Sequence, residues 1–99
     1  MNIGIKDDEF IRGKVPMTKE EIRILTLAKA NIKPSATVYD VGAGTGSISI
    51  EAARLASDGH VYAIEKNPEG TKLITENAKR FHVENITVVE GAAPDALSG

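Results

Sequence analysis

The sequence contains no cysteine, which excludes a disulfide framework and a thiolate zinc site. Its two histidines, His60 and His82, stand far apart and lack the spacing of a metal-ligand pair. No apolar run approaches the roughly 18 residues of a membrane-spanning helix, and the first residues do not read as a secretory leader, so a cytoplasmic protein with no membrane partner is the expectation. Neither sign of charge dominates: the net charge of −2 leaves no basic footprint for nucleic acid. Aromatic residues make up 4% of the 99 residues, a length that suits one small domain.

Glycine is present in a pattern. Thr37-Val38-Tyr39-Asp40-Val41 reads as a short strand, Gly42-Ala43-Gly44-Thr45-Gly46 as a tight turn and Ser47-Ile48 as the opening of a helix. Glycines at alternate positions let the backbone approach a ligand where a Cβ would collide, and the following helix points its free N–H groups into the same space.

The rest of the chain arranges itself around that unit. Residues 1–15 are polar and read as an irregular arm, with Phe10 and Ile11 as anchors and Asp7-Asp8-Glu9 as a solvated run. A helix opens after Pro16, where Thr18 and Glu21 have the spacing of a capping box. Ile22, Leu25 and Ala28 supply its apolar face, with Ile24 and Leu27 beside it. The helix after the turn buries Ile48, Ala52, Leu55 and Ala56 and stops at Gly59, read as a C-cap. His60 to Glu65 is a second strand. Asn67-Pro68 is an N-cap followed by proline at the first helical position, and that helix turns Leu73, Ile74, Ala78 and Phe81 inward. Ile86 to Glu90 is a third strand. The order α-β-α-β-α-β predicts an α/β fold with a parallel sheet, and right-handed crossovers place its strands in the order 3-2-1. The first strand is then an edge, although its residues suit a covered strand. Residues 16–99 therefore read as the first half of a larger domain; a partner subunit over that edge is the alternative.

The glycine spacing is Gly42-x-Gly44-x-Gly46. The dinucleotide fingerprint G-x-G-x-x-G would need its third glycine at position 47, which is Ser47, and no G-K-[ST] ending is present for a nucleotide triphosphate loop. Asp40, two residues before the first glycine, would repel a pyrophosphate and suits an ammonium group. Glu65 closes the second strand nineteen residues after Gly46, where an acid in adenosine-binding α/β folds accepts hydrogen bonds from ribose hydroxyls. Ala92 and Ala93, after the third strand, could wall an adenine slot. Asp40, Glu65 and Ala92-Ala93 would thus line up with an amino acid, a ribose and a base, the three parts of S-adenosylmethionine. Lys14, Lys19 and Arg23 read as a solvated face, with substrate carboxylates as the alternative.

Val38-Tyr39-Asp40-Val41-Gly42-Ala43-Gly44-Thr45-Gly46 resembles the first motif of class I S-adenosylmethionine-dependent methyltransferases, which have a Rossmann-like fold. The stretch from Arg12 to Arg23, containing Pro16-Met17-Thr18-Lys19-Glu20-Glu21-Ile22-Arg23, resembles the N-terminal segment of the precorrin-6Y C5,15-methyltransferase (decarboxylating) family of cobalamin biosynthesis. Ala63-Ile64-Glu65-Lys66-Asn67-Pro68-Glu69 and Glu90-Gly91-Ala92-Ala93-Pro94-Asp95-Ala96-Leu97 are similar to the same family. The resemblance implies methylation at C15 of a precorrin or cobalt-precorrin ring with loss of a ring acetate. It implies cofactor contacts from Thr18, Gly42, Ala43, Gly44, Thr45, Gly46, Glu65 and Ala93, and a homo-oligomer, a tetramer in the family. Many relatives carry an acid where this chain has Ala92, so that hydrogen bond to the adenine would be missing. No residue reads as catalytic, and the 99 residues alone are expected not to turn over. A class I methyltransferase acting on RNA or protein, and a non-catalytic cofactor-binding fragment, are the alternatives.

Overall fold

The computed structural model describes residues 3–91. Six regular elements follow the arm: α1 (Glu20–Ala30), β1 (Thr37–Val41), α2 (Ser47–Leu55), β2 (His60–Glu65), α3 (Pro68–Arg80) and β3 (Ile86–Glu90). The strands form one parallel sheet in the order β1-β2-β3, as the alternation of elements requires.

Register sorts the strand residues onto two faces. Val38, Val61 and Ile86 pair in a row and pack with Leu27, Ala52 and Ala53 from α1 and α2. The alanines bring α2 close to the sheet, and Val61 is fully buried, which contributes about 1.5–3 kcal/mol. On the other face Tyr39, Tyr62 and Thr87 pair in a row, and the rings of Tyr39 and Tyr62 stack with centroids 5.2 Å apart. Tyr39 and Val41 are 58% and 56% exposed. Among the described residues no strand pairs with the outer edge of β1.

The α3 expectations hold at its start. Asn67 caps it, its Oδ1 accepting the Glu69 N–H at 2.9 Å, and Pro68 is the first helical residue. Leu73, Ile74 and Ala78 are buried as expected, Phe81 is half-buried, and Asn77 joins the buried set.

Four local expectations are corrected. First, α1 begins at Glu20, Lys19 is its N-cap residue, and no side-chain cap bond forms there, so Thr18 and Glu21 make no capping box. Second, Ile22 and Leu25 are 55% and 54% exposed, while Arg23 and Leu27 are buried. The helix is turned one residue, about 100° about its axis, because Arg23 finds a buried anion. Third, α2 is enclosed beyond the single stripe Ile48, Ala52, Leu55, Ala56: Ser49, Ile50, Glu51 and Ala53 are buried too. The arm covers Ile50 and Glu51, while Ser49 is held by Asp40 on β1 and Ala53 packs with Val61 of the sheet. The C-terminal carbonyls of α2 at Ala53 and Ala56 accept from Asn85 Nδ2 at 2.9 and 2.7 Å.

Fourth, Gly59 is not a left-handed cap. Ala56 is the C-cap of α2 with φ −85°. A Cβ on Gly59 would lie 2.0 Å from the Ala36 carbonyl oxygen, the same oxygen that accepts the His60 N–H at 3.0 Å where β1 and β2 begin to pair. Gly59→Ala is therefore expected to destabilise the fold by about 1–3 kcal/mol through backbone overpacking, read as a lower urea midpoint.

Residues 3–19 are not a loose terminus. A 3-10 turn forms at Asp7–Glu9, and Ile5, Phe10 and Val15 are buried. Ile5 and Phe10 pack with Ile50 and Ala78, and Met17 joins them. Phe10 is the anchor expected; the Ile11 side chain is exposed at 36%. Asp7 is not merely solvated, since its carboxylate pairs with Arg23 at 3.1 Å.

Candidate functional site

The site lies at the C-terminal edge of the sheet, where β1 ends in the glycine turn. Gly42, Gly44 and Gly46 have φ of 73°, 60° and 86°, the left-handed region that side chains with a Cβ avoid. The alternating glycines thus meet a backbone requirement at each position. A Cβ on Gly42 would meet nothing within 4 Å among the described residues, whereas one on Gly46 would press on Ile74 at 3.1 Å. The first glycine therefore faces open space and the third lies against α3.

Two sets of hydrogen bonds fix the turn. The N–H groups of Gly42 and Ala43 both donate to the Ile64 carbonyl, at 2.8 and 3.1 Å. Glu65 then closes it: Oε1 accepts the Gly44 N–H and Oε2 the Asn67 N–H, both at 2.9 Å. The carboxylate bridges the turn and the start of α3 with lone pairs to spare. Gly70 makes room for it, since a Cβ there would lie 2.7 Å from Glu65 Cγ and 3.1 Å from the Gly44 carbonyl. Sequence reasoning missed Gly70; a glycine in the first turn of an otherwise capped helix was its signal. The Glu65 carbonyl accepts the Gly91 N–H at 2.9 Å, which brings the end of β3 to the same edge.

Asp40 sits on β1 behind the turn and accepts from Ser49 Oγ at 2.6 Å. Burial pushes its carboxyl above the ordinary value; the Ser49 hydrogen bonds oppose the shift and the nearby Glu65 charge adds to it. A raised carboxyl pKa means that the folded protein loses stability as pH rises through that value. Asp40→Asn is expected to be at least as stable as the parent at pH 7, with the difference shrinking as pH is lowered towards 4, measured by urea denaturation.

Thr45 is 1% exposed. Its Oγ1 has no hydrogen-bond partner among the described residues, while its carbonyl accepts from Asn77 Nδ2 at 2.9 Å. A buried, unpaired hydroxyl costs free energy until something supplies a partner. Ala43 is half-buried. Thr18 is half-buried, with its carbonyl held by Arg23 Nη1 at 2.8 Å. Just before it, the Pro16 carbonyl and Val15 Cγ1 lie 3.1 and 3.7 Å from where a Gly44 Cβ would be.

The structure thus brings together the turn, Asp40, Glu65 and the segment leading to Thr18. Ala92 and Ala93 lie outside the described residues. Of the three cations read as a solvated face, Lys14 and Lys19 are exposed but Arg23 is completely buried, so it meets neither solvent nor substrate.

An alternating glycine turn after the first of three parallel strands, closed by an acid at the end of the second, defines the class I methyltransferase fold. A family model described as a precorrin methyltransferase domain matches residues 9–99, and the chain belongs to that family. It is 47% identical over 97 residues to the probable cobalt-precorrin-6B C(15)-methyltransferase (decarboxylating) of Sulfolobus acidocaldarius, covering 96% of this chain and 50% of the relative. The crystal structure of precorrin-6y C5,15-methyltransferase from Geobacter metallireducens superposes with a TM-score of 0.92 at 43% identity, covering 97% of this chain and 51% of that one. The precorrin 8W decarboxylase of Methanobacterium thermoautotrophicum gives 0.88 at 39% identity, covering 95% and 51%. The chain spans about half the length of the relatives it matches.

Proposed function

We propose that residues 16–99 form the S-adenosylmethionine-binding half of a methyltransferase that acts at C15 of a precorrin or cobalt-precorrin ring with loss of a ring acetate. The carrying observation for the cofactor is the Glu65 carboxylate, buried at the turn and fastened to Gly44 and Asn67. The substrate class follows the names of relatives that match nearly the whole chain at close to half identity. The edge of β1, unpaired among the described residues and with Tyr39 and Val41 exposed, supports the reading of a half-domain against which the remaining half packs.

The residues present fit this cofactor. Among the described residues, Gly42 offers open space for close approach and the Thr45 hydroxyl has no polar partner. Asp40 suits an ammonium group and Glu65 a pair of ribose hydroxyls; Ala93, by family resemblance, borders the base. When bound, the sulfonium supplies an electrophilic methyl group. This half contributes orientation, holding the methyl donor at one place so that the ring carbon can approach in line. Asp40→Asn is expected to weaken binding of S-adenosylhomocysteine about 10-fold, the loss of one charge-assisted contact.

Calorimetric titration tests the cofactor reading. S-Adenosylhomocysteine is expected to bind one to one with micromolar affinity while NAD gives no heat of binding. NAD binding without S-adenosylhomocysteine binding would overturn the methyltransferase site. Transfer of a methyl group to C15 of the ring by the full enzyme, followed by mass spectrometry, tests the substrate class.

A further inference from the structure

The arm makes more contact with the turn than a tether needs. Asn77, on α3, is fully buried and bonds only to backbone. Its Oδ1 accepts the Ile11 N–H at 2.7 Å, and its Nδ2 donates to the Ile11 carbonyl at 2.8 Å and to the Thr45 carbonyl at 2.9 Å. One amide therefore holds the middle of the arm and the glycine turn together. Further along, Val15 and the Pro16 carbonyl rest over Gly44, and the Lys14 N–H donates to Glu69 Oε1 at 3.3 Å.

A second fastening lies on the α1–α2 side. Glu51 Oε1 accepts the N–H groups of Gly4 and Ile5 at 2.5 and 3.3 Å, and its Oε2 pairs with Arg23 Nε at 2.6 Å. The same guanidinium donates to the Ile5 carbonyl, to Asp7 at 3.1 Å and to the Thr18 carbonyl at 2.8 Å. It lies over the Phe10 ring, 4.9 Å from the centroid. Both ends of the arm, Ile5 and Thr18, thus converge on Arg23.

We propose that Asn77 and the Arg23–Glu51 pair are positioning residues that clamp the arm across the glycine turn, so that arm docking and occupancy of the turn are linked. This rests on the cofactor reading above. Thr45 is the shared element: Asn77 fixes its carbonyl, and its hydroxyl, without a partner among the described residues, lies in the same turn. A ligand that orders the turn therefore orders the arm, and by thermodynamic reciprocity a docked arm strengthens ligand binding.

The test uses the full chain with S-adenosylhomocysteine as probe. Asn77→Ala removes the bridge, and Asp7→Asn weakens the arm's pairing with Arg23 at a partly exposed position that leaves the core intact. Dissociation constants are expected to rise about 10-fold and about 5-fold, within the usual range of site-to-site coupling. Lys6, Arg12 and Lys14 are exposed, so trypsin reads arm docking directly. The ligand is expected to slow cleavage at Arg12 and Lys14 about 5-fold or more in the parent and much less in either variant. A merely structural role would lower the thermal midpoint while leaving the dissociation constant and the ligand dependence of cleavage unchanged. That result in Asp7→Asn overturns the clamp even if Asn77→Ala does not fold. No S-adenosylhomocysteine binding by the parent overturns the cofactor reading, and the clamp with it; parent-like binding by both variants overturns the clamp alone.

Discussion

Replacing Arg23 with methionine is expected to destabilise the fold by about 3–5 kcal/mol, the usual cost of leaving one member of a buried ion pair without its partner. The side chains of Arg23 and Glu51 are both 0% exposed and pair at 2.6 Å. Without the guanidinium, the Glu51 carboxylate keeps only the Gly4 and Ile5 N–H groups, and the carbonyls of Ile5 and Thr18 lose a donor. Against a typical total of about 5–15 kcal/mol this is a large fraction. The double variant Arg23→Met, Glu51→Leu removes both charges from the interior and is expected to recover part of the loss, the remainder being the cost of the Gly4 and Ile5 N–H groups and the Ile5 and Thr18 carbonyls that then lack their side-chain partners. Urea midpoints of the parent, single and double variants decide it. A single variant within about 1 kcal/mol of the parent would show that the pair behaves as a solvated one.

Arg23 also marks where the sequence was illegible. Patterning treats an arginine between two isoleucines as a solvent-facing residue, so Ile22, Leu25 and Ala28 read as the apolar stripe. The true orientation depends on Glu51, twenty-eight residues further on, and no local window contains that information. Asn77 and Asn85 escaped for the same reason: each is polar by type, and each is placed by backbone groups of a distant segment. The Thr18–Glu21 spacing misled differently, because the helix starts two residues after Thr18. The features that were legible share the opposite property. The glycines of the turn answer a local backbone requirement, met at 42, 44 and 46. Asn67-Pro68 specifies a helix start within two residues. The strand order follows from chain alternation and crossover handedness alone. The place of Glu65 beside the turn was legible because parallel strands end at one edge, so an acid closing β2 falls beside the turn closing β1.

Glu65→Ala is expected to weaken S-adenosylhomocysteine binding on the order of 100-fold or more, since two hydrogen bonds to a charged group contribute about 1.5–3 kcal/mol each and every 1.4 kcal/mol is about tenfold. Two effects enter that loss. The carboxylate braces the site, joining the Gly44 and Asn67 N–H groups, and on the proposed cofactor reading its remaining lone pairs would accept from the ribose hydroxyls. Glu65→Gln separates them in part, because an amide matches the carboxylate in shape but sets an NH2 group against one of the two N–H donors. A thermodynamic cycle completes the separation, using S-adenosylhomocysteine and its 2′-deoxyadenosyl analogue, which lacks the 2′-hydroxyl. If the carboxylate binds the sugar, removing that hydroxyl costs the parent about tenfold and costs Glu65→Ala almost nothing. If Glu65 only braces the turn, both proteins lose the same factor. Its charge also raises the Asp40 pKa, so Glu65→Ala should shift the acid limb of the pH profile of ligand binding to lower pH. An unchanged limb would mean that Asp40 and Glu65 act on the ligand independently, despite lying at the ends of neighbouring strands, Asp40 one residue before the last of β1 and Glu65 the last of β2.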